Sequence, residues 1–126
     1  GWKVLYTRAT RLFGELALAR ADGSFGRRLA ALARVDLLVL DDWGLAPLNP
    51  EAGRDLLELL DDRYDRKSTL VASQIPVEEW HPLIRDPTLA DAALDRLVHN
   101  AHRIALNGES MRKTRANLTT QTPNNQ

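Results

Sequence analysis

The sequence predicts an α/β domain with a parallel sheet flanked by helices, and three observations support this. Short apolar segments alternate with segments of helical spacing from residue 3 to residue 106. The segment at residues 35–40 is nearly unbroken in apolar character, as expected for a strand buried on both faces. The composition, 44% hydrophobic and 27% charged residues with a net charge of zero, is that of a soluble globular domain.

The first half of the chain reads strand, helix, helix, strand, helix. Residues 3–7 are rich in β-formers and predict a buried strand, and residues 10–21 predict a helix. Asp22 and Gly23 end that helix, and a second helix follows from Phe25. After the strand at 35–40, Asn49 and Pro50 predict the start of a helix. Its expected buried stripe is Leu56, Leu57, Leu60 and Tyr64.

The second half continues the alternation. We predict a third strand at residues 68–73, a short helical turn at 77–80, a helix at 88–100 and a fourth strand at 103–106. Residues 116–126 are polar and are expected to be disordered, which leaves residues 1–115 as the folded part. The apolar runs are too short to span a membrane and no signal-peptide pattern is visible, so we expect a cytoplasmic protein.

Polar residues that follow the strands are the candidates for chemistry, because ligands of open parallel sheets bind at the carboxyl ends of the strands. Asp41 and Asp42 follow four aliphatic residues, and two such carboxylates suit Mg²⁺ and the activation of water. Ser73 and Gln74 end the next strand. Arg96, on the last helix, is able to stabilise phosphate charge, although an ordinary ion pair explains its position equally well.

Several classes of site are excluded by residues that the sequence lacks. It has no cysteine, which rules out disulfides and cysteine-based zinc sites, and its histidines lack a familiar ligand spacing. A phosphate-binding loop of the form Gly-x-x-x-x-Gly-Lys-Ser/Thr is absent from the 126 residues. A receiver-like phosphoacceptor domain using Asp41 or Asp42 is disfavoured, because the lysine expected after a late strand is missing.

Charge is unevenly distributed along the chain. Residues 1–34 hold seven basic and two acidic groups, whereas residues 35–65 hold two basic and nine acidic groups. Such a distribution allows the basic ends to bind a polyanion and the acidic middle to bind a metal ion or another subunit. The alternative explanation is that the charges lie on solvated helix faces.

Four segments resemble the IstB-type transposition helper ATPases of the AAA+ class, which are related to the helicase loader DnaC. They are DLLVLDDWG at 36–44, DRYDRKSTLVASQIPV at 62–77, DRLVHNAHRI at 95–104 and GESMRK at 108–113. The resemblance implies an AAA+ P-loop NTPase fold, ATP and Mg²⁺ as cofactors, and a function in DNA transposition. Expected partners are DNA, a transposase and further copies of the chain.

The resemblance also implies roles for individual residues. Asp41 and Asp42 form a Walker B motif, in which Asp41 assists Mg²⁺ and Asp42 positions the hydrolytic water. Ser73 and Gln74 match the first sensor. Arg96 matches the arginine finger and Arg112 a late arginine that replaces a lid domain, with Arg103 and Arg115 as alternatives.

The resemblance implies that this chain corresponds to the C-terminal part of such a protein. The first strand and the Walker A loop would precede Gly1, so the domain at residues 1–115 is partial. The missing strand would lie between the third and fourth strands and leave their edges unpaired. The alternative function is a non-hydrolytic remnant that binds DNA or a partner chain and has inherited its Walker B motif.

Overall fold

A computed structural model describes residues 1–106, and it shows four parallel strands with helices between them. The strands are β1 (Val4–Arg8), β2 (Leu37–Asp41), β3 (Ser68–Ser73) and β4 (His102–Ala105), which neighbour one another in that order. The helices are α1 (Ala9–Asp22), α2 (Phe25–Arg34), α3 (Pro50–Arg63) and α4 (Pro87–Asn100). Short 3₁₀ turns lie at Val77–Glu79 and His81–Leu83. The order and type of the sequence-predicted elements are confirmed.

Local capping explains where three of the helices begin or end. The Asn49 side chain accepts a hydrogen bond from the Ala52 amide at 2.8 Å, with proline at the first helical position, as predicted. Asp86 caps α4 in the same way through the Leu89 amide at 3.0 Å. Helix α1 ends at Gly23, whose φ of 84° is unfavourable for other residues.

All four helices contribute to a core on one face of the sheet. Right-handed crossovers between strands that are added in a single direction place every connecting helix on the same side. Leu38, Leu40 and Val71 point to that side and are fully buried. They pack among side chains of α1, α2, α3 and α4, including Leu16, Leu29, Leu56, Leu60 and Leu97.

The opposite face of the sheet is not covered by any helix within residues 1–106. Its larger apolar side chains, which together we call the open face, are Val4, Tyr6, Leu37, Val39, Leu70 and Ile104. Val4 and Tyr6 are about three-fifths exposed, at 60% and 59%.

Three details of the predicted burial are therefore wrong. Strand β1 is not buried, and burial alternates along β2 instead of being continuous. In α3, Leu59 is buried in place of the predicted Tyr64, which is exposed. The uncovered open face explains the burial seen in β1 and β2, since only the helix-facing residues of each strand are shielded from solvent.

The predicted gap beside the third strand is also absent. Strand β4 pairs directly with β3, with Leu70 opposite His102 and Ala72 opposite Ile104. Pairing satisfies the backbone groups of β3 that a vacant central position would have left open. The free edges of the described sheet are therefore β1 and β4.

Residues 107–126 are not described, so Arg112, Arg115 and the predicted tail at 116–126 lie outside the described residues. Among the helices of residues 1–106, none combines the length and the apolar character needed to cross a lipid bilayer.

Candidate functional site

The acidic pair, Asp41 and Asp42, lies at the carboxyl end of β2, one of the two inner strands of the sheet. Both residues are partly buried. Asp41 Oδ1 accepts a hydrogen bond from the Asp42 amide at 2.8 Å, and Asp42 has a φ of 53°. Left-handed backbone at a residue other than glycine is uncommon and is found disproportionately at functional sites.

Two residues of the edge strand β1 contact the acidic pair. The Tyr6 hydroxyl donates a hydrogen bond to Asp41 Oδ2, and Arg8 Nε lies 3.6 Å from Asp42 Oδ2. The hydrogen bond to Asp41 raises the pKa of Tyr6, with burial and the negative charge of Asp41 acting in the same direction. The Tyr6 hydroxyl therefore orients the Asp41 carboxylate, and Arg8 places a positive charge beside Asp42.

The loop after the acidic pair is anchored to the end of β3. The Trp43 amide donates to the Ala72 carbonyl at 3.0 Å, and the Ser73 hydroxyl donates to the Trp43 carbonyl at 2.5 Å. Trp43 is buried against Trp80, with ring centroids 5.6 Å apart. These contacts fix the direction in which the chain leaves Asp42.

Gly44 completes this loop in a conformation that requires glycine. Its φ is 91°, and a Cβ placed there would lie 2.9 Å from Ile75 Cγ1 and 3.0 Å from Leu83 Cδ1. The loop therefore has both a backbone reason and a packing reason for glycine at this position.

Ser73 and Gln74 differ in their availability to a ligand. Ser73 is buried, and its hydroxyl also accepts a hydrogen bond from the Ile75 amide at 3.0 Å. It links the two loops at the carboxyl ends of β2 and β3. Gln74 is exposed at that same end of the sheet, where its side chain is open to solvent.

Arg96 is not brought together with the acidic pair. Helices α3 and α4 run antiparallel to the strands, so their last turns lie at the amino end of the sheet, opposite Asp41 and Asp42. There Arg96 Nε contacts Asp61 Oδ1 at 2.8 Å, and this ion pair raises the pKa of Arg96. Within one chain, Arg96 and the acidic pair are separated by the length of the strands.

The acidic pair supplies only some of the ligands that a metal ion needs. In the part of the chain that the structure describes, no group of three or more His, Asp or Glu side chains is placed to hold a metal ion. Mg²⁺ commonly binds through one or two carboxylates and completes its shell with water and substrate phosphates. Two carboxylates at an open strand end suit that arrangement and do not suit a metal site made by protein alone.

Sequence reasoning found the acidic pair but missed Tyr6 and Arg8. Their contacts depend on the register between β1 and β2, in which Arg8 lies opposite Asp41 and Tyr6 lies one same-face position before it. Alternation places Tyr6, Arg8 and Asp41 on one face once the register is known. The pairing of two strands so far apart in the sequence is not visible in either strand alone.

Comparison with known proteins gives matches over almost the whole chain. Residues 1–119 match the family model described as IstB-like ATP binding protein. The chain is 62% identical over 110 residues to the putative insertion sequence ATP-binding protein y4pL of Sinorhizobium fredii. It is 33% identical over 112 residues to the insertion sequence IS21 putative ATP-binding protein of Pseudomonas aeruginosa.

The chain is shorter than these relatives. The matched regions cover 87% of this chain but 45% of the first relative, and 89% of this chain but 42% of the second. The chain thus spans about half the length of the curated relatives it matches.

Solved structures confirm the fold. The AMPPCP-bound DnaA of Aquifex aeolicus superposes with a TM-score of 0.69 at 16% identity, covering 98% of this chain and 39% of DnaA. A DNA replication initiation factor gives a TM-score of 0.68 at 18% identity, covering 94% of this chain and 36% of its own. The described sheet and helices are therefore part of a P-loop NTPase fold of the AAA+ type.

Proposed function

Because the chain belongs to the IstB-like ATP binding protein family, we propose that it forms the Walker B part of an ATP site in a helper protein of DNA transposition. The acidic pair at the end of β2 is the observation that carries this proposal. Two adjacent carboxylates, of which Asp41 is held by hydrogen bonds, stand at the carboxyl end of an inner parallel strand, where ligands of open α/β sheets bind.

The two carboxylates take different parts in the proposed reaction. Asp41, held at both oxygens, offers a fixed carboxylate to Mg²⁺ or to its water. Bound Mg²⁺ would offset the negative charge of the ATP phosphates. Asp42 orients the attacking water and accepts its proton on the carboxylate, while Gln74 is exposed nearby to contact the terminal phosphate.

The remaining contacts with ATP must come from outside these 126 residues. A glycine-rich phosphate loop is absent from the sequence, and the relatives are about twice as long as the matched region. The chain by itself therefore has the acidic part of the site without the backbone amides that hold the phosphates.

We predict that this chain alone binds Mg-ATP weakly or not at all. Calorimetric titration should give no saturable heat at low micromolar ATP, since the largest set of phosphate contacts is missing. The control is a double variant, Asp41→Ala with Asp42→Ala. Tight binding that is lost in the double variant would contradict the prediction and show a nucleotide site within this chain.

We predict that the acidic pair supports hydrolysis when the rest of the domain is supplied. In the chimera for this test, residues 1–106 of this chain replace the matching segment of the y4pL relative, with y4pL itself as the reference. Asp42→Asn should lower the kcat of the chimera by about 100-fold or more, the usual size of a general-base effect.

The matched control is Asp62→Asn, on the exposed surface of α3. A chimera that hydrolyses ATP equally well with and without Asp42 would contradict the proposed role of that residue. If the chimera folds but neither binds nor hydrolyses ATP while y4pL does, this chain has lost the function.

An arginine finger acting between copies fits the position of Arg96. Since Arg96 and the acidic pair lie at opposite ends of the strands, Arg96 could reach an ATP phosphate only on a neighbouring copy. We therefore propose a homo-oligomer in which Arg96 leaves Asp61 to contact the ATP of the next subunit. Arg103, on β4, is the alternative arginine within the described residues.

We further propose that the protein acts in the cytoplasm and that its partners are DNA and a transposase. Exposed arginines on α1 and α2, including Arg11, Arg27, Arg28 and Arg34, would contact DNA phosphates. The alternative, a non-hydrolytic remnant, rests on the same basic surface. DNA binding that falls steeply with salt and does not respond to nucleotide would favour that alternative.

A further inference from the structure

Tyr6 is placed to control the orientation of Asp41. It lies on the edge strand β1, and its hydroxyl donates to Asp41 Oδ2 on the neighbouring strand. In the register of the two strands Tyr6 is opposite Val39, so Asp41 is its diagonal neighbour on the same face. Diagonal neighbours on a sheet are within reach of an aromatic side chain.

The Asp41 carboxylate is consequently held at both oxygens. The Asp42 amide occupies one acceptor site of Oδ1 at 2.8 Å, and the Tyr6 hydroxyl occupies one of Oδ2. Each oxygen of an ionised carboxylate has about two acceptor sites, so one on each remains for a cation or its water. Two fixed hydrogen bonds leave little freedom for the carboxylate to rotate.

We propose that Tyr6 is a positioning residue that orients Asp41 for a divalent cation. This inference rests on the proposed function, which assigns the cation to Asp41. Hydrogen-bond partners of metal-binding carboxylates typically contribute 10- to 100-fold to metal affinity, because they fix the ligand in its binding orientation. Tyr6 does not touch the cation itself in this arrangement.

Tyr6 also has a readily matched control. The chain has two tyrosines, and Tyr64 lies at the end of α3, at the amino end of the sheet. Both side chains are mostly exposed, at 59% for Tyr6 and 57% for Tyr64. Removing either hydroxyl is therefore a surface change of the same size.

The test uses Mn²⁺ as a paramagnetic probe on the isotopically labelled 126-residue chain. Mn²⁺ should broaden the amide signals of Asp41, Asp42 and their neighbours on β1. Tyr6→Phe should raise the Mn²⁺ concentration needed for this broadening by about tenfold. In Tyr6→Gln, whose amide can also donate to Asp41, part of the lost Mn²⁺ affinity should return. Tyr64→Phe should leave the Mn²⁺ concentration needed for broadening unchanged.

An internal reference separates positioning from general effects on the chain. Broadening at the exposed acidic residues Asp61, Asp62 and Asp65 reports non-specific binding of Mn²⁺ and should be equal in all variants. Amide dispersion and the urea midpoint of Tyr6→Phe should match those of the parent. Loss of binding together with loss of dispersion, and no recovery in Tyr6→Gln, would overturn the positioning role.

The remaining outcomes distinguish this inference from the proposed function. Asp41→Asn should abolish broadening at the acidic pair. If Asp41→Asn does so but Tyr6→Phe has no effect, the role of Tyr6 is wrong and the cation site stands. If the parent chain shows only the broadening seen at Asp61 and Asp62, the cation site of the proposed function fails, and the role of Tyr6 fails with it.

Discussion

At the scale of single residues, the most unusual side chain of the core is Arg63. It is 1% exposed at the end of α3, and its guanidinium donates to backbone carbonyls at the ends of two other elements. Nη1 contacts Leu32 O and Val35 O at 2.8 Å each, where α2 ends. Nη2 contacts Ser68 O, and Nε contacts Thr69 Oγ1 at 2.9 Å, where β3 begins.

The position of Arg63 explains how a cation is tolerated in the core. Burial lowers its pKa, and the charge of Asp36 partly opposes that effect. The carbonyls at the end of α2 carry the negative end of the helix dipole, which favours a positive charge. One guanidinium thus supplies donors to acceptors at the end of α2 and at the start of β3.

We predict that Arg63→Met destabilises the fold by about 3 kcal/mol or more, because each buried acceptor left unpaired costs about 1–3 kcal/mol. Arg63→Lys should fall between the parent and Arg63→Met, since an ammonium cannot span the same acceptors. Urea unfolding measures the effect, with the exposed Arg66→Met as the control. Equal stability of Arg63→Met and the parent would mean that burying the charge costs as much as its hydrogen bonds contribute.

At the scale of elements, Asp36 joins the starts of three strands. It precedes β2, and its Oδ2 accepts a hydrogen bond from the Lys3 backbone amide at 2.8 Å, just before β1. Its Oδ1 contacts Lys67 Nζ at 2.9 Å, just before β3. The Lys3 amide, and next the Lys67 side chain, lower the pKa of Asp36.

This pKa shift predicts part of the pH dependence of stability. A carboxylate with a lowered pKa in the folded state stabilises the fold fully above its ordinary pKa of 3.8, and the contribution is lost as the pH falls through the lower folded value. Asp36→Asn should therefore be less stable than the parent at about pH 6, and the difference should shrink towards about pH 3. Urea unfolding across this range tests the prediction, with Asp62→Asn as the control.

The elements also show what a sequence can and cannot predict. The start of α3 follows from Asn49 and Pro50, because capping is local. The apolar run of β2 predicted a strand buried on both faces, but a periodicity argument cannot reveal whether anything covers the second face. The pairing of β4 with β3 is a long-range choice, and it departs from the sheet order that the resemblance implied.

The candidate site likewise has a part that local sequence predicts and a part that it does not. Asp41 and Asp42 were predicted because a run of aliphatic residues ends at them, and that signal is local. The hydrogen bonds of Ser73 to the loop around Trp43, and of Tyr6 to Asp41, need the strand register and the loop path. Neither the strand register nor the loop path is encoded in a short stretch of sequence.

At the scale of the whole molecule, the open face and the acidic pair belong to one side of the sheet. Val4, Tyr6 and Arg8 alternate along β1 on that side, and Arg8 lies opposite Asp41. Parallel sheets are normally covered on both faces. The side that lacks helices in residues 1–106 is therefore also the side towards which Asp41 points.

This arrangement fits the proposal that the acidic pair is one part of a larger ATP site. The relatives are about twice as long as the matched region, and additional chain placed over the open face would also lie beside the acidic pair. While the open face is uncovered, its exposed apolar side chains favour contact between copies.

We predict that the 126-residue chain associates with itself through the open face. The variant Val4→Lys with Ile104→Lys should sediment as a smaller species and bind less of a hydrophobic dye, because it places two charges on that face. The matched control is Leu18→Lys with Val98→Lys, which removes two apolar side chains from helix surfaces and adds the same charge. Dissociation by the first pair alone locates the contact on the open face, and equal effects of both pairs would show that net charge, not this face, controls association.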